Sequence, residues 1–366
     1  MSVQRLASET GLGQAAAVSN RAIQQGDLVC VTGASGYIGS HTVEALLRAG
    51  YRVRGTVRDA NASAKTAHLS KIADDCGGSL ELVSADLTEP GAFDAAVADC
   101  PYVCHVASSV RLTADDPQKQ IVDVALNGTK NVLASIDRAA CARRVVVTSS
   151  IAAVVDEEKP LAHVFDEKDW NESATLKQSP YPLSKTLAER AAWKHVETLG
   201  DDASYDLVTI NPTLVLGPLL AEVHGRSSPA LLKDLLSGKF PATPDFRFGV
   251  VDVREVAAAH VRALEVEDAA GRYILNNRNA ALTEMAGMLR SAFPDRKTPK
   301  RTMPNFLMYG VALFDKRISF GFLKRSLSIV RRIDAHKSRD QLGIDYRSIE
   351  STVRDTGQSL VDLGLA

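Results

Sequence analysis

The chain has 366 residues, 45% of them hydrophobic and 24% charged, with a formal net charge of -1. That length supports a sizeable hydrophobic core, and the near-neutral balance argues against nucleic acid as a partner. No apolar run approaches the roughly 20 residues a membrane span requires, so no membrane span is expected.

Residues 1–26, MSVQRLASETGLGQAAAVSNRAIQQG, lack the apolar stretch of a secretory signal and read as an N-terminal extension, either a tail or a short surface helix. After them, short β-branched runs alternate with helical patterns. The strand candidates are DLVCVT (27–32), YRVRGTV (51–57), LELVSAD (80–86), YVCHVA (102–107), RVVVTSS (144–150) and YDLVTIN (205–211). Stretches such as HTVEALLRAG and NGTKNVLASIDRAA carry helical periodicity between them. Such alternation implies right-handed crossovers and an α/β fold with a doubly wound parallel sheet, which binds ligands at the carboxyl ends of its strands. Gly33, Ser150 and Asn211 then share one rim.

From about Leu219 the regularity fails. GRSSPALLKDLLSGKFPATPDF reads as a helix and a Pro-rich loop, and FGVVDVREVAAAHVRALEVE as a strand and a helix. Residues 27–218 are therefore expected to form one domain, rejoined by 248–267. Residues 219–247 and 268–366 are expected to form a smaller cap. There is no internal repeat. Cys30, Cys76, Cys100, Cys104 and Cys141 are scattered and odd in number, as expected of reduced thiols in the cytoplasm. Cys100 and Cys104 lie in a strand-like segment without a second ligand pair, so no metal is expected.

VTGASGYIGSHTVEALL joins the first strand to the first helix. Gly33, Gly36 and Gly39 give the turn and the close backbone approach that a pyrophosphate needs, and a helix N-terminus attracts the anion. Ser35, Tyr37 and Ile38 lie in the same loop and are further candidates to bind the cofactor, and 27–218 is expected to be a dinucleotide-binding Rossmann domain. An acidic residue closing the second strand would bind the ribose hydroxyls of NAD. Here GTVRDANASAK offers Arg58, with Lys65 further on, which suit a 2′-phosphate and point to NADP. Asp59 is a contrary sign. Asp86 is placed to bond the adenine amino group, or else to cap the next helix.

In SPYPLSKTLAERAAW, Tyr181 and Lys185 stand four residues apart, on one face of a helix, above an apolar stripe of Leu187, Ala188, Ala191 and Ala192. A tyrosine donates a proton to a developing alkoxide more readily beside an ammonium, which stabilises its phenolate. Ser149 and Ser150 end a buried strand on the same rim, and either hydroxyl could polarise a carbonyl.

TGASGYIG, the SS pair, YPLSK and NPTLVLGP together resemble the extended short-chain dehydrogenase/reductase family. YPLSKTLAERAAWKHVE, NPTLVLGP and KSRDQLGIDYRSIESTVRDT resemble its dihydroflavonol reductase, cinnamoyl-CoA reductase and yeast-type aldehyde reductase branch. The resemblance runs from about Leu28 to the C-terminus. It implies Tyr181 as general acid, Lys185 as its partner and Ser150 as the carbonyl-orienting serine, with Ser149 the alternative. It implies cofactor contacts from Arg58, Lys65, Asp86, Leu87, Val106, Ala107, Ser108, Pro212, Thr213 and Val215. Two positions depart from the family. Ala125 replaces an Asn found in some members, with Asn127 expected to face elsewhere. Val155 stands where flavonoid-reducing relatives hold an Asn, so dihydroflavonols are not implied.

The expectation is an NADPH-dependent reductase of an apolar ketone or aldehyde, a small-molecule carbonyl substrate, in a monomer or homodimer. Val110, Pro182, Val215, Leu219 and Leu220 are candidates to shape its pocket. The competing readings are an acyl-CoA thioester reductase, a 3β-hydroxysteroid-type dehydrogenase and a non-catalytic NADP sensor. Residues 296–332 carry ten Lys and Arg against Asp315. They read as a solvated helical face with NFLMYGVALF as its buried side, or as a clamp for CoA phosphates.

Overall fold

The computed structural model describes residues 23–108, 114–314 and 320–366. All six expected strands are present: β1 (Leu28–Thr32), β2 (Arg52–Val57), β3 (Leu80–Ser84), β4 (Tyr102–His105), β5 (Arg144–Thr148) and, past the two-residue β6 (Val164–Phe165), β7 (Asp206–Pro212). Beyond them come β8 (Leu214–Leu216), β9 (Arg247–Asp252), β10 (Gly271–Leu275), β11 (Arg278–Ala281) and β12 (Arg332–Ile333). The main sheet is parallel throughout, in the order β10-β7-β5-β4-β1-β2-β3. Strand order reverses between β1 and β4, the point at which such sheets offer a ligand crevice at the carboxyl rim.

The helices in chain order are α1 (Tyr37–Arg48), α2 (Ser63–Cys76), α3 (Asp94–Val97), α4 (Asp123–Ala139), α5 (Pro180–Leu199), α6 (Ala230–Leu236), α7 (Val253–Glu265), α8 (Leu282–Ala292), α9 (Asn305–Phe314), α10 (Phe320–Ser326), α11 (His336–Leu342) and α12 (Ile349–Asp362). Alternation along β1 sends Val29 and Val31 to one face, with Leu46 and Val256, and Cys30 to the other, with Val103, Val132 and Ile136. Both faces of the sheet are covered, as a parallel sheet requires. A third core of Leu216, Leu232, Leu235, Met285, Leu289 and Val353 lies in the later part of the chain.

The chain crosses the boundary expected at Leu219. Helix α7 returns to pack on α1, but β9 joins β8 and β11 in a separate three-stranded sheet. Segment 268–366 sends β10 back to the main sheet, where Ile274 pairs with Asn211 on β7. That pairing occupies the edge on which β9 would otherwise have docked. The expected burial of NFLMYGVALF is also corrected. Met308 is buried, but Phe306 is 72% and Leu313 70% exposed. A helix apolar all round can bury only the side that meets a partner, and here that partner is a small cluster around Leu323 and Leu327.

Candidate active site

The loop after β1 is shaped by what a side chain would strike. Gly33 has φ +68°, and a Cβ there would lie 2.8 Å from Ala107 Cα. A Cβ at Gly39 would come within 2.2 Å of the Gly33 carbonyl oxygen. Gly36 opens α1 without a side-chain cap, so the first-turn N–H groups remain available to an anion. Thr32 Oγ1 ties the loop to β4, receiving a bond from Ala107 N at 3.0 Å and pairing with His105 Nδ1 at 2.8 Å. These features fit a dinucleotide pyrophosphate. Tyr37 contributes differently from the glycines. Its ring is buried and its hydroxyl donates to the Gly217 carbonyl at 2.8 Å, anchoring α1. Ile38 packs against the core, and the Ser35 carbonyl meets His224 Nε2 at 3.3 Å.

Arg58 follows β2 and Lys65 lies in the first turn of α2, both exposed. Asp86 Oδ1 accepts from Thr88 N at 2.8 Å and Thr88 Oγ1 at 2.7 Å. These bonds, with Arg58 nearby, hold its carboxyl below the usual range. It thus caps a local turn; α3 starts later, at Asp94. Asn131 Nδ2 donates to the Leu87 carbonyl at 2.9 Å, fixing the segment next to it.

The reactive residues meet above β5. Ser179 and Pro180 start α5, with Pro at a position where its missing N–H is harmless. Burial pushes the Tyr181 phenol up, and the neighbouring Ser150 hydroxyl partly offsets the rise. Ser150 extends from the end of β5, caps the short turn Ile151–Ala153 and accepts from Ala152 N at 3.1 Å. Lys185 is buried, lies 6.0 Å from the Tyr181 ring centroid and donates to Ser108 Oγ at 3.0 Å. Burial lowers it to about 8, and Glu189 opposes that shift. Ser149 is turned away from Tyr181 and donates to Glu189 at 2.5 Å. The geometry therefore favours Ser150 of the two serines.

The remaining expected positions divide. Val106, Ala107 and Ser108 follow β4 on the rim. Pro212, Thr213 and Val215 run from β7 into β8, and the Thr213 and Val215 side chains are buried. Both N and Oγ1 of Thr213 donate to the Leu275 carbonyl, at 3.0 and 3.1 Å. As pocket candidates, Pro182 and Leu220 are half-buried, whereas Val215 and Leu219 sit inside the core. Val110 lies outside the described residues. Ala125 lines a cavity of about 20 Å³ with Lys185, His105, Ser108 and Thr129, while Asn127 is exposed and faces elsewhere. Among the described residues no His, Cys, Asp and Glu cluster could hold a metal.

Sequence reasoning missed the polar group beneath Lys185: Glu189, Thr209, Asn211 and Arg272, where Asn211 had been placed only on the rim. One signal was present, since Glu189 continues the four-residue spacing of Tyr181 and Lys185 on a face that is otherwise apolar.

A model described as the NAD dependent epimerase/dehydratase family matches residues 29–276. The chain belongs to that family. Within it, cinnamoyl-CoA reductase CAD2 of Medicago truncatula is 38% identical over 339 residues, covering 92% of this chain and 96% of the relative. Tetraketide alpha-pyrone reductase 1 of Arabidopsis thaliana is 37% identical over 350 residues, with the same coverage. Among solved structures, yeast methylglyoxal/isovaleraldehyde reductase Gre2 complexed with NADPH superposes with a TM-score of 0.77 at 29% identity, covering 93% of this chain and 100% of that one. Gre2 of Candida albicans in complex with NADPH gives 0.75 at 32%, covering 92% and 99%. The resemblance to extended short-chain reductases is borne out, and so is the parallel Rossmann sheet expected from the alternation of strands and helices.

Proposed function

We propose that the protein is an NADPH-dependent carbonyl reductase that converts an apolar ketone or aldehyde into its alcohol. The observation that carries this reading is the placing of Tyr181 beside Ser150, with Lys185 one helical turn on, at the rim that also holds the Gly33–Gly39 cradle. It is supported by family membership and by the NADPH complexes of the Gre2 structures. Arg58 and Lys65 bind the 2′-phosphate, and the first turn of α1 takes the pyrophosphate.

Bound NADPH supplies the hydride. Ser150 orients the carbonyl oxygen. Tyr181 keeps its proton at neutral pH, because burial raises its phenol, and gives that proton to the oxygen as negative charge develops. Lys185, still largely an ammonium at neutral pH, stabilises the phenolate left behind.

The test is NADPH consumption with aryl ketones, α-keto esters, aliphatic aldehydes and cinnamoyl-CoA, alongside Tyr181→Phe. Turnover of a ketone or aldehyde that falls by roughly 10³-fold in the variant supports the reading; undiminished turnover refutes the role of Tyr181. A second reading, reduction of an acyl-CoA thioester, is favoured by the 38% identity to cinnamoyl-CoA reductase CAD2 and by the cations of 296–301. Turnover restricted to the CoA ester, with a KM that rises steeply with salt, would select it.

A further inference from the structure

One turn beyond Lys185, the buried face of α5 presents Glu189, a carboxylate only 1% exposed. Four side chains donate to it. Ser149, just past β5, does so at 2.5 Å; Asn211 Nδ2 and Thr209 Oγ1 of β7 at 2.8 and 3.2 Å; and Arg272 Nε of β10 at 2.6 Å. Arg272 is buried in turn, bonded to the Glu167 and Asp169 carbonyls, with its guanidinium 3.9 Å from the Trp170 ring centroid. A buried ion pair is weak evidence for stability as such. Its cost is better explained by what it does for its neighbour. Residues four apart on a helix share a face, so Glu189 and Lys185 are adjacent.

We propose that Glu189 is a positioning residue for the reaction: it pins α5 to β7, to β10 and to the segment just past β5, so setting the depth of Tyr181 and Lys185 over Ser150, and it is the anion that keeps Lys185 an ammonium. This rests on the reading of Tyr181 and Lys185 as the proton-donating pair. The groups facing Lys185 and its carboxylate partner come from five elements. Helix α5 gives Tyr181 and Glu189, β7 gives the uncharged Thr209 and Asn211, and β4 gives His105, held neutral by burial and pushed down to about 3, with Ser108 beyond it. The end of β5 gives Ser149 and Ser150, and β10 gives Arg272. Of these, Glu189 alone is an anion. Neutralising it would leave Lys185 and Arg272 as two buried cations with no counter-charge between them. Burial already lowers Lys185, so losing the opposing carboxylate lowers it further. The ammonium then disappears at lower pH, and the alkaline limb of kcat moves downward.

The experiment is Glu189→Gln in the full chain, with kcat and KM for NADPH-dependent reduction of a carbonyl turned over by the parent protein, from about pH 6 to about pH 9.5. NADPH binding by fluorescence and Tm report the fold. The expected result is an alkaline limb shifted down by about one pH unit, with kcat lowered roughly tenfold near pH 8.5 and within about threefold of the parent near pH 6. A loss that is uniform with pH, or an unmoved limb, overturns the proposal. If Glu189→Gln does not bind NADPH, Ser149→Ala decides instead. Removing the hydroxyl that draws charge from the carboxylate should move the limb upward, and an unmoved limb again overturns the proposal. Tyr181→Phe, run in parallel, separates the two ideas: persistent turnover there refutes the proton-donor reading itself, whatever Glu189 does.

Discussion

The reactive centre and the α9–α10 hairpin treat burial in opposite ways. Beside Lys185 lies a buried polar network whose centre, Glu189, takes bonds from side chains of β7, β10 and the end of β5. Helices α9 and α10 are rich in large apolar side chains, yet Phe306, Leu307, Leu313, Phe320 and Phe322 are exposed. The hairpin is nevertheless tied near the site. Arg325 bonds Glu157 at 2.6 Å, and Arg331 donates to the Glu157 and Lys159 carbonyls, shortly after Ser150 in the chain. The contrast separates two jobs. Under the proposed mechanism, buried polar groups aligned by distant strands fix where a proton moves, whereas the apolar side chains of α9 and α10 contribute no bond to that geometry.

Ser150→Ala tests the rigid side and should have the largest effect. Its hydroxyl neighbours Tyr181 and accepts one local N–H, with no partner in the deeper network. A fall in kcat of roughly 10²- to 10³-fold is expected, with Tm changed by no more than about 2 °C. A comparable loss of Tm would make Ser150 part of the scaffold and blur the separation.

Arg58→Ala comes next. If the exposed guanidinium after β2 binds the 2′-phosphate, as proposed, NADPH affinity should weaken by roughly 10- to 100-fold while NADH affinity stays within about threefold. Titration of cofactor fluorescence measures both. Equal losses would mean that Arg58 grips the adenosine rather than the phosphate.

How much of this could be read in the amino-acid sequence depends on the distance over which each feature is decided. The Gly33–Gly39 cradle and the Tyr181–Lys185 pair are local, spelled out within a turn and a helix, and they were legible. So were six strands whose β-branched runs stand between clear helices. Strand β10 was not, because GRYIL is short, carries an Arg and follows a stretch without regular alternation. Its Arg272 is buried only because Glu189, 83 residues earlier, waits opposite it. Ser149 reads as a catalytic hydroxyl until the same carboxylate, 40 residues later, claims it. Likewise an apolar run such as NFLMYGVALF announces burial, but whether a surface exists to receive it is decided elsewhere in the fold.

Acid should expose the cost of the buried polar side. Burial lowers His105 to about 3 and His224 and His260 to about 4, against an ordinary value near 6.5. Their folded pKa values are depressed, so the unfolded chain takes up protons first and stability falls as pH drops from about 6.5 towards 4. Glu255, pushed up to about 7 by burial, works the other way over the same range, since the folded state gains its proton earlier. Three groups outweigh one. Tm at pH 5 should lie below that at pH 7 by roughly 5 °C, and an equal or higher Tm would show that these histidines are not held neutral.

The smallest effect is expected at Phe306. Removing a side chain that is 72% exposed takes little apolar area out of the protein, so Phe306→Ala should change unfolding free energy by less than about 0.5 kcal/mol and leave Tm within about 1 °C. The measurement is informative because several large apolar groups stand together on this hairpin, and such groups are seldom left to solvent without a use. A drop of several degrees would mean that Phe306 is covered in solution. A second copy of the chain would make that drop grow with protein concentration, because self-association stabilises by mass action, and light scattering on parent and variant would then find a dimer and a monomer. If Tm stays put while KM for apolar carbonyls rises, the hairpin meets substrate instead. It would then be the adaptable partner of a reactive centre whose own geometry is unchanged.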